Sequence, residues 1–250
     1  IISSIRDIIN IKDKNKLNYI NSNLSKYYNY VLVHGEKKYF SIEKKVKLNS
    51  NNKIKIIYTG YICDSLYKNT YDNKKNNEII VSAGGGAVGE KIFLSSIKLA
   101  LNWHNNNFLW RILLGKNWNS QNKNKYLELI EKSGKNILIE DYRNDFSEII
   151  QNCSLSISQC GYNTFVETVS YRVKSIFIPF SGDKNGDQVI RSQIFEHMDT
   201  IKVIDENKIS PSILKKNATD LLDKRDIYYD IPKMQGTELT ANFIKSLIHE

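Results

Sequence analysis

The chain has 250 residues, 41% of them hydrophobic and 25% charged, which suits one large or two modest folded domains. No apolar run approaches the roughly 20 residues a membrane-spanning helix needs, and three cysteines without C-x-x-C spacing argue against a zinc site and for a reducing compartment. The whole net charge of +9 lies in residues 1–77, with 15 Lys and Arg against 6 Asp and Glu, while residues 78–250 balance at 21 of each. Such a basic segment can meet anionic lipid, phosphate or nucleic acid, or can be the solvated face of a chain rich in Lys, Asn and Ile.

The chain opens on "IISSIRDII", which reads as a strand already under way, without a starting Met or a signal-peptide pattern. The expectation is therefore a fragment cut from a longer protein, the alternative being one subunit of a split enzyme. Residues 1–9, 29–34 and 54–60 read as short strands rich in β-branched and aromatic residues. Residues 63–77 are polar, lack apolar periodicity and read as a linker. After it, strand-like runs at 79–83, 108–114, 136–139, 155–158, 174–179 and 200–204 alternate with helical spacing at about 89–103, 124–133, 145–152, 164–172 and 187–198. Two further helices, at about 210–223 and 238–249, follow the last strand. Such alternation implies crossover units and a parallel sheet with helices on both faces.

Three strand-to-helix junctions carry the chemistry. In "VSAGGGAVGEK", Gly84, Gly86 and Gly89 spell G-x-G-x-x-G, but the acidic residue that a dinucleotide fold wants about 20 positions later is missing, since no Asp or Glu lies between Glu90 and Glu128. No G-K-[ST] follows either, which excludes a Walker loop. Two readings remain: a turn whose backbone N–H groups face a phosphate at the positive end of a helix dipole, or a tight turn that binds nothing. "LSISQCGYNTFVETV" is a second junction, in which Gly161 frees the backbone, Asn163 or Thr164 caps the helix, and Thr164 with Glu167 forms a T-x-x-E capping box. In "KSIFIPFSGDKNGDQVIRS", a strand ends at Pro179-Phe180 and Asp187-Gln188 opens the next helix. Open parallel sheets bind ligands at the carboxyl ends of their strands, and three such ends here suit phosphates and sugar hydroxyls.

These stretches, with "IEDYRNDFSEII" and "GDQVIRSQIF", resemble in order the C-terminal domain of family 28-like glycosyltransferases of the GT-B fold. The "RDI", "VLVHG" and "YTGY" stretches are similar to the bacterial "predicted glycosyltransferase" group. The resemblance implies an α/β GT-B architecture: residues 1–62 as the truncated end of an acceptor-side Rossmann-like domain, 63–77 as linker and 78–250 as the donor-binding domain. It implies that Gly84, Gly85 and Gly86 approach the diphosphate of a nucleotide sugar, by default a uridine diphosphate. Tyr142 would lie against the base, and Gly161, Asn163 and Thr164 would face the α-phosphate. Glu167 would hold the ribose hydroxyls, and Asp187 and Gln188 the donor sugar. Arg6 and His34 are possible cleft residues at strand ends of the first segment. Transfer would be inverting and need no metal, consistent with the lack of a D-x-D motif. The acceptor would be presented at the inner membrane face, to which the basic first third could bind peripherally from the cytoplasm.

The resemblance leaves the catalytic base unassigned, because it belongs to the earlier part of the first domain. None of His34, His104, His197 and His249 sits near a carboxylate or serine in a triad-like pattern. Two other readings stand beside the transferase: a nucleotide-sugar hydrolase or epimerase on the same scaffold, and a non-catalytic nucleotide-binding module. Nucleic acid is disfavoured as a partner, since the basic segment shows no recognition helix or known aromatic motif.

Overall fold

The computed structural model describes residues 1–9, 11–46, 54–63, 75–84, 88–104, 107–115, 121–182, 186–225 and 230–248. The chain divides into two units, Ile1–Lys68 with Asp230–Glu250, and Asn69–Tyr229.

The smaller unit holds β1 (Ile2–Ile5), β2 (Tyr30–Val33) and β3 (Lys55–Tyr58), all parallel in that order. A helix that the sequence reading did not foresee, α1 (Lys14–Tyr27), connects the first two. Its Asn- and Ser-rich composition hides it, since both are weak helix formers. The signal was nevertheless present. Asp13 is an N-cap whose Oδ1 accepts from the backbone N–H groups of Asn15 (2.8 Å) and Lys16 (3.2 Å). Leu17, Ile20 and Leu24 then fall on one face, and Leu24 is buried with Val31, Val33, Ile42 and Val46.

The last helix, α8 (Gly236–Ile248), groups by its contacts with this unit, whereas the expected donor-binding domain runs over 78–250. Long-range contacts make the grouping. Tyr61 N–H donates to the Lys233 carbonyl (2.7 Å), Gly236 N–H donates to the Tyr61 carbonyl (2.9 Å), and the Thr237 hydroxyl donates to the Cys63 carbonyl (2.9 Å). Phe243 packs edge-on against Tyr30 at 5.1 Å.

The larger unit contains β4 (Asn76–Ser82), α2 (Glu90–Leu101), β5 (Leu109–Leu113), α3 (Gln121–Glu131), β6 (Ile137–Glu140), α4 (Phe146–Asn152), β7 (Cys153–Ser158), α5 (Tyr162–Ser170), β8 (Ser175–Phe177), α6 (Asp187–Phe195), β9 (Ile201–Val203) and α7 (Pro211–Leu222). Its six strands are all parallel in the order β6-β5-β4-β7-β8-β9. The strand begins at Asn76, two residues inside the expected linker; most of that linker lies outside the described residues. Alternation along β4 sends Ile79 and Val81 into a core with Phe93 of α2, Tyr126 of α3 and Leu214 of α7. Ile80 faces the opposite layer with Leu113 and Ile150. On that second face Phe165 of α5 is fully buried, 6.2 Å from Phe177 and 4.5 Å from Phe195 between ring centroids.

Arg111, in the middle of β5, bridges Glu78 on β4 and Glu140 on β6, a cross-strand ion triad that ties three strands together. Phe165→Ala removes the ring on which both neighbouring phenylalanines pack. Denaturant titration should show a loss of about 3–5 kcal/mol for the larger unit.

Candidate functional site

Counted in chain order within the larger unit, the strand order is 3-2-1-4-5-6, that of a doubly wound sheet. The chain winds outward from β4 through β5 to β6, then crosses to β7 and winds the other way. At the carboxyl ends of β4 and β7 the connections part to opposite directions, and the crevice between them is where such sheets bind ligands.

The loops at those ends open helices in an unusual way. After β4, Gly84 takes φ +58, and Gly89 takes φ +117 as the N-cap of α2, where a Cβ would lie 2.3 Å from that of Ala83. Gly85 and Gly86 lie outside the described residues. After β7, Gly161 is the N-cap of α5, and after β8, Gly186 is the N-cap of α6. None of the three helices has a side-chain cap hydrogen bond. The helices α1 and α7, by contrast, are capped by Asp13 and by Ser210, whose side chains accept from first-turn N–H groups. An uncapped N-terminus leaves backbone donors and the positive end of the dipole for water or an anion.

This arrangement corrects the expected capping at α5. Asn163 and Thr164 lie within its first turn and make no cap, and the T-x-x-E box does not form because the N-cap is Gly161, three residues before Thr164. Glu167 therefore has no capping role. It is half-buried, and its Oε1 accepts a hydrogen bond from the Ser147 hydroxyl of α4 at 3.2 Å. Ser147 lies 3.2 Å from the Tyr171 hydroxyl as well, so α4 and α5 hold the carboxylate between them.

Asp187 and Gln188 occupy the first two positions of α6. The Gln188 side-chain oxygen accepts from Phe180 N–H (3.2 Å), and buried Glu206 accepts from both the N–H (2.8 Å) and the hydroxyl (2.7 Å) of Ser181. The loop after β8 is thereby pinned at its start. Tyr142, 52% exposed, stands in the loop after β6. Beside it Arg143 forks onto Asp145 (2.7 and 2.5 Å) and reaches Glu140 (2.8 Å). Burial opposes ionisation of Glu140, but the hydrogen bonds and charges of Arg143 and Arg111 outweigh it and hold the carboxyl below its usual range.

Gly84, Gly161, Asp187 and Gln188 thus gather at the ends of the neighbouring strands β4, β7 and β8, with Glu167 nearly two helical turns beyond Gly161 along α5. Register partners Ser82 and Ser158, the last residues of β4 and β7, are buried with hydroxyls that have no hydrogen-bond partner among the described residues, as has the side-chain nitrogen of Gln159. Buried polar groups of this kind are satisfied by ordered water or by a ligand. Sequence reading missed Gln159, Ser147 and Glu206. Only Gln159 carried a signal, lying within the strand-glycine junction itself.

Arg6 and His34 belong to the smaller unit. Arg6 is exposed just beyond β1. His34 is buried, its Nε2 lying 2.7 Å from the Ser4 hydroxyl and its Nδ1 2.9 Å from the Thr59 hydroxyl, and burial lowers its pKa. It is a neutral buttress joining three strands.

A doubly wound parallel sheet whose carboxyl edge carries glycine-led, uncapped helices defines a Rossmann-like α/β protein. The chain belongs, by residues 79–249, to the glycosyltransferase family 28 C-terminal domain. Among curated relatives it is 28% identical over 188 residues to the UDP-N-acetylglucosamine--N-acetylmuramyl-(pentapeptide) pyrophosphoryl-undecaprenol N-acetylglucosamine transferase of Clostridium perfringens strain SM101, covering 71% of this chain and 49% of that protein. The Borrelia hermsii protein of the same name is 26% identical over 220 residues, covering 84% and 57% respectively. The chain spans about half the length of the curated relatives it matches. Among solved structures, the glycotransferase of kitacinnamycin superimposes with a TM-score of 0.58 at 10% identity, over 88% of this chain and 51% of that one. MurG of Acinetobacter baumannii gives 0.54 at 13% identity, over 92% and 59%.

The His34 geometry fixes a pH dependence. With its folded pKa below the ordinary 6.5, the unfolded chain binds more protons as pH falls below that value, so stability contributed above pH 6.5 is lost on acidification. Denaturation at pH 7 and pH 5 should show His34→Gln with a smaller loss across this interval than the unaltered chain.

Proposed function

We propose that the larger unit is the donor-binding half of a glycosyltransferase that takes a sugar from a nucleoside diphosphate, with uridine diphosphate as the carrier. The observation that carries this reading is the set of uncapped, glycine-led helices at neighbouring strand ends, with Glu167 held by Ser147 close behind. Backbone N–H groups at Gly84–Gly86 and at the start of α5 bind the diphosphate. Glu167 accepts the two ribose hydroxyls, Tyr142 lies against the base, and Asp187 and Gln188 meet the sugar.

In this reading the enzyme's contribution is electrostatic. As the bond from the anomeric carbon to the β-phosphate oxygen breaks, negative charge collects on the departing diphosphate, and helix dipoles and oriented N–H groups stabilise it without a metal ion. Transfer is inverting, and the acceptor is lipid-linked, as in the names of the C. perfringens and B. hermsii relatives. The acceptor side and the base that activates it lie outside residues 78–250. The basic first third supports attachment to an anionic membrane surface from the cytoplasmic side, with each well-placed Lys or Arg contributing about 1 kcal/mol.

Two substitutions test the donor site by calorimetric titration with UDP, UMP, dTDP and GDP. A Cβ at Gly161 meets nothing within 4 Å and φ there is −63°, so Gly161→Asp fits the fold. Aspartate is a favoured N-cap, so stability should hold or rise by a few tenths of a kcal/mol. Its carboxylate would compete with the phosphate for the same N–H groups and repel it, so UDP affinity should fall by about tenfold or more. Glu167→Ala should weaken UDP binding by a similar factor while leaving inorganic pyrophosphate binding unchanged. Equal UDP affinity in all three proteins would overturn the assignment.

A further inference from the structure

The sequence reading gave no role to Arg191, yet its guanidinium is completely buried, among the largest side chains wholly removed from solvent. It sits one turn into α6, and its two terminal nitrogens point to different places. One donates to the Cys160 carbonyl at 2.7 Å, on the peptide unit that leads directly into Gly161, the N-cap of α5. The other donates to Asp187 Oδ2 at 3.1 Å, at the first position of α6. The guanidinium carbon lies 5.7 Å from the centre of the Tyr162 ring, the first residue of α5. One side chain therefore spans from the strand end after β7 to the helix start after β8.

The electrostatics of the pair are lopsided. A buried cation requires a counter-charge, and its partner Asp187 has 46% of its side chain exposed while Arg191 has none. The carboxylate thus lies at the solvent face of the strand-end loops, and its charge is offset from behind. Left unpaired there, an aspartate would oppose any diphosphate bound at the adjoining helix N-termini. An Arg fork suits this task where Lys would not, because two acceptors in different directions must be held at once.

We infer that Arg191 is a positioning residue of the donor site: it sets the Cys160–Gly161 peptide for phosphate binding, and it fixes and offsets Asp187 so that this carboxylate meets sugar hydroxyls without repelling the diphosphate. The inference rests on the donor-site reading and adds to it the residue that couples two of its loops.

The test is calorimetric binding of UDP and of UDP-N-acetylglucosamine to the chain and to Arg191→Gln, Arg191→Lys, Asp187→Asn and the Arg191→Gln/Asp187→Asn double variant, each checked for folding by thermal melting. Arg191→Gln should weaken UDP binding by about tenfold, and adding Asp187→Asn should restore most of that loss, because the unpaired carboxylate is the source of the repulsion. Arg191→Lys should keep the charge and lose part of the affinity. A purely structural arginine would lower the melting temperature of both Arg191→Gln proteins without this rescue, and that outcome overturns the inference.

Should Arg191→Gln fail to fold, Asp187→Asn decides alone. It should raise UDP affinity about threefold, since a half-exposed negative charge beside the helix N-termini is then removed, and should lower the preference for UDP-N-acetylglucosamine over UDP. An unchanged UDP affinity overturns the inference. Failure of the unaltered chain to bind UDP overturns the donor-site reading and this inference with it, whereas UDP binding that none of the variants alters overturns this inference alone.

Discussion

The pairing of β4 with β7 is the constraint on which the larger unit depends. β4 is the first strand of the unit, yet it ends in the middle of the sheet because the next two strands are laid down on one side of it and the last three on the other. Parallel pairing forces every connection to cross a face of the sheet, and the change of direction between β4 and β7 leaves the two departing loops apart at their carboxyl ends. The fully buried Ile79, Ile80 and Val81 anchor β4 against both helical layers, and Gly84 follows directly on this strand.

On that scaffold the site is built mainly from backbone. Glycine at three successive caps removes the side chains that would otherwise satisfy the first N–H groups of the helices, and the helices are held by packing instead: Phe93 behind α2, Phe165 behind α5 and Phe195 on α6, all buried. Packing rather than side-chain capping thus holds the starts of these helices. The candidate side chains are each held by a neighbour: Glu167 by Ser147, Gln188 by the Phe180 peptide, and Asp187 by Arg191.

Sequence reading recovered the strands and glycine turns of the larger unit because both are local. A run of β-branched residues and a glycine between strand and helix are visible within ten residues. The same locality produced its errors. Thr164 and Glu167 have the spacing of a capping box, but whether that spacing is used depends on where α5 begins, and it begins at Tyr162, behind an N-cap at Gly161. The helix α1 is hard to read locally because its propensity is poor, whereas burial of Leu24 against β2 supplies what propensity does not.

By itself the sequence determined the class of fold, the parallel alternation of the larger unit and the family to which residues 79–249 belong, since periodicity, glycine placement and short motifs are written along the chain. Tertiary structure alone decided that α8 returns to the smaller unit through Tyr61 and Tyr30, that His34 is a neutral buttress between Ser4 and Thr59, and that Arg191 joins the Cys160 carbonyl to Asp187. The physical reason is common to all three. Each depends on a contact between residues far apart in the chain, Phe243 with Tyr30, His34 with Ser4 and Thr59, and Arg191 with Cys160, and no local pattern of residues records which distant partner the fold will bring together.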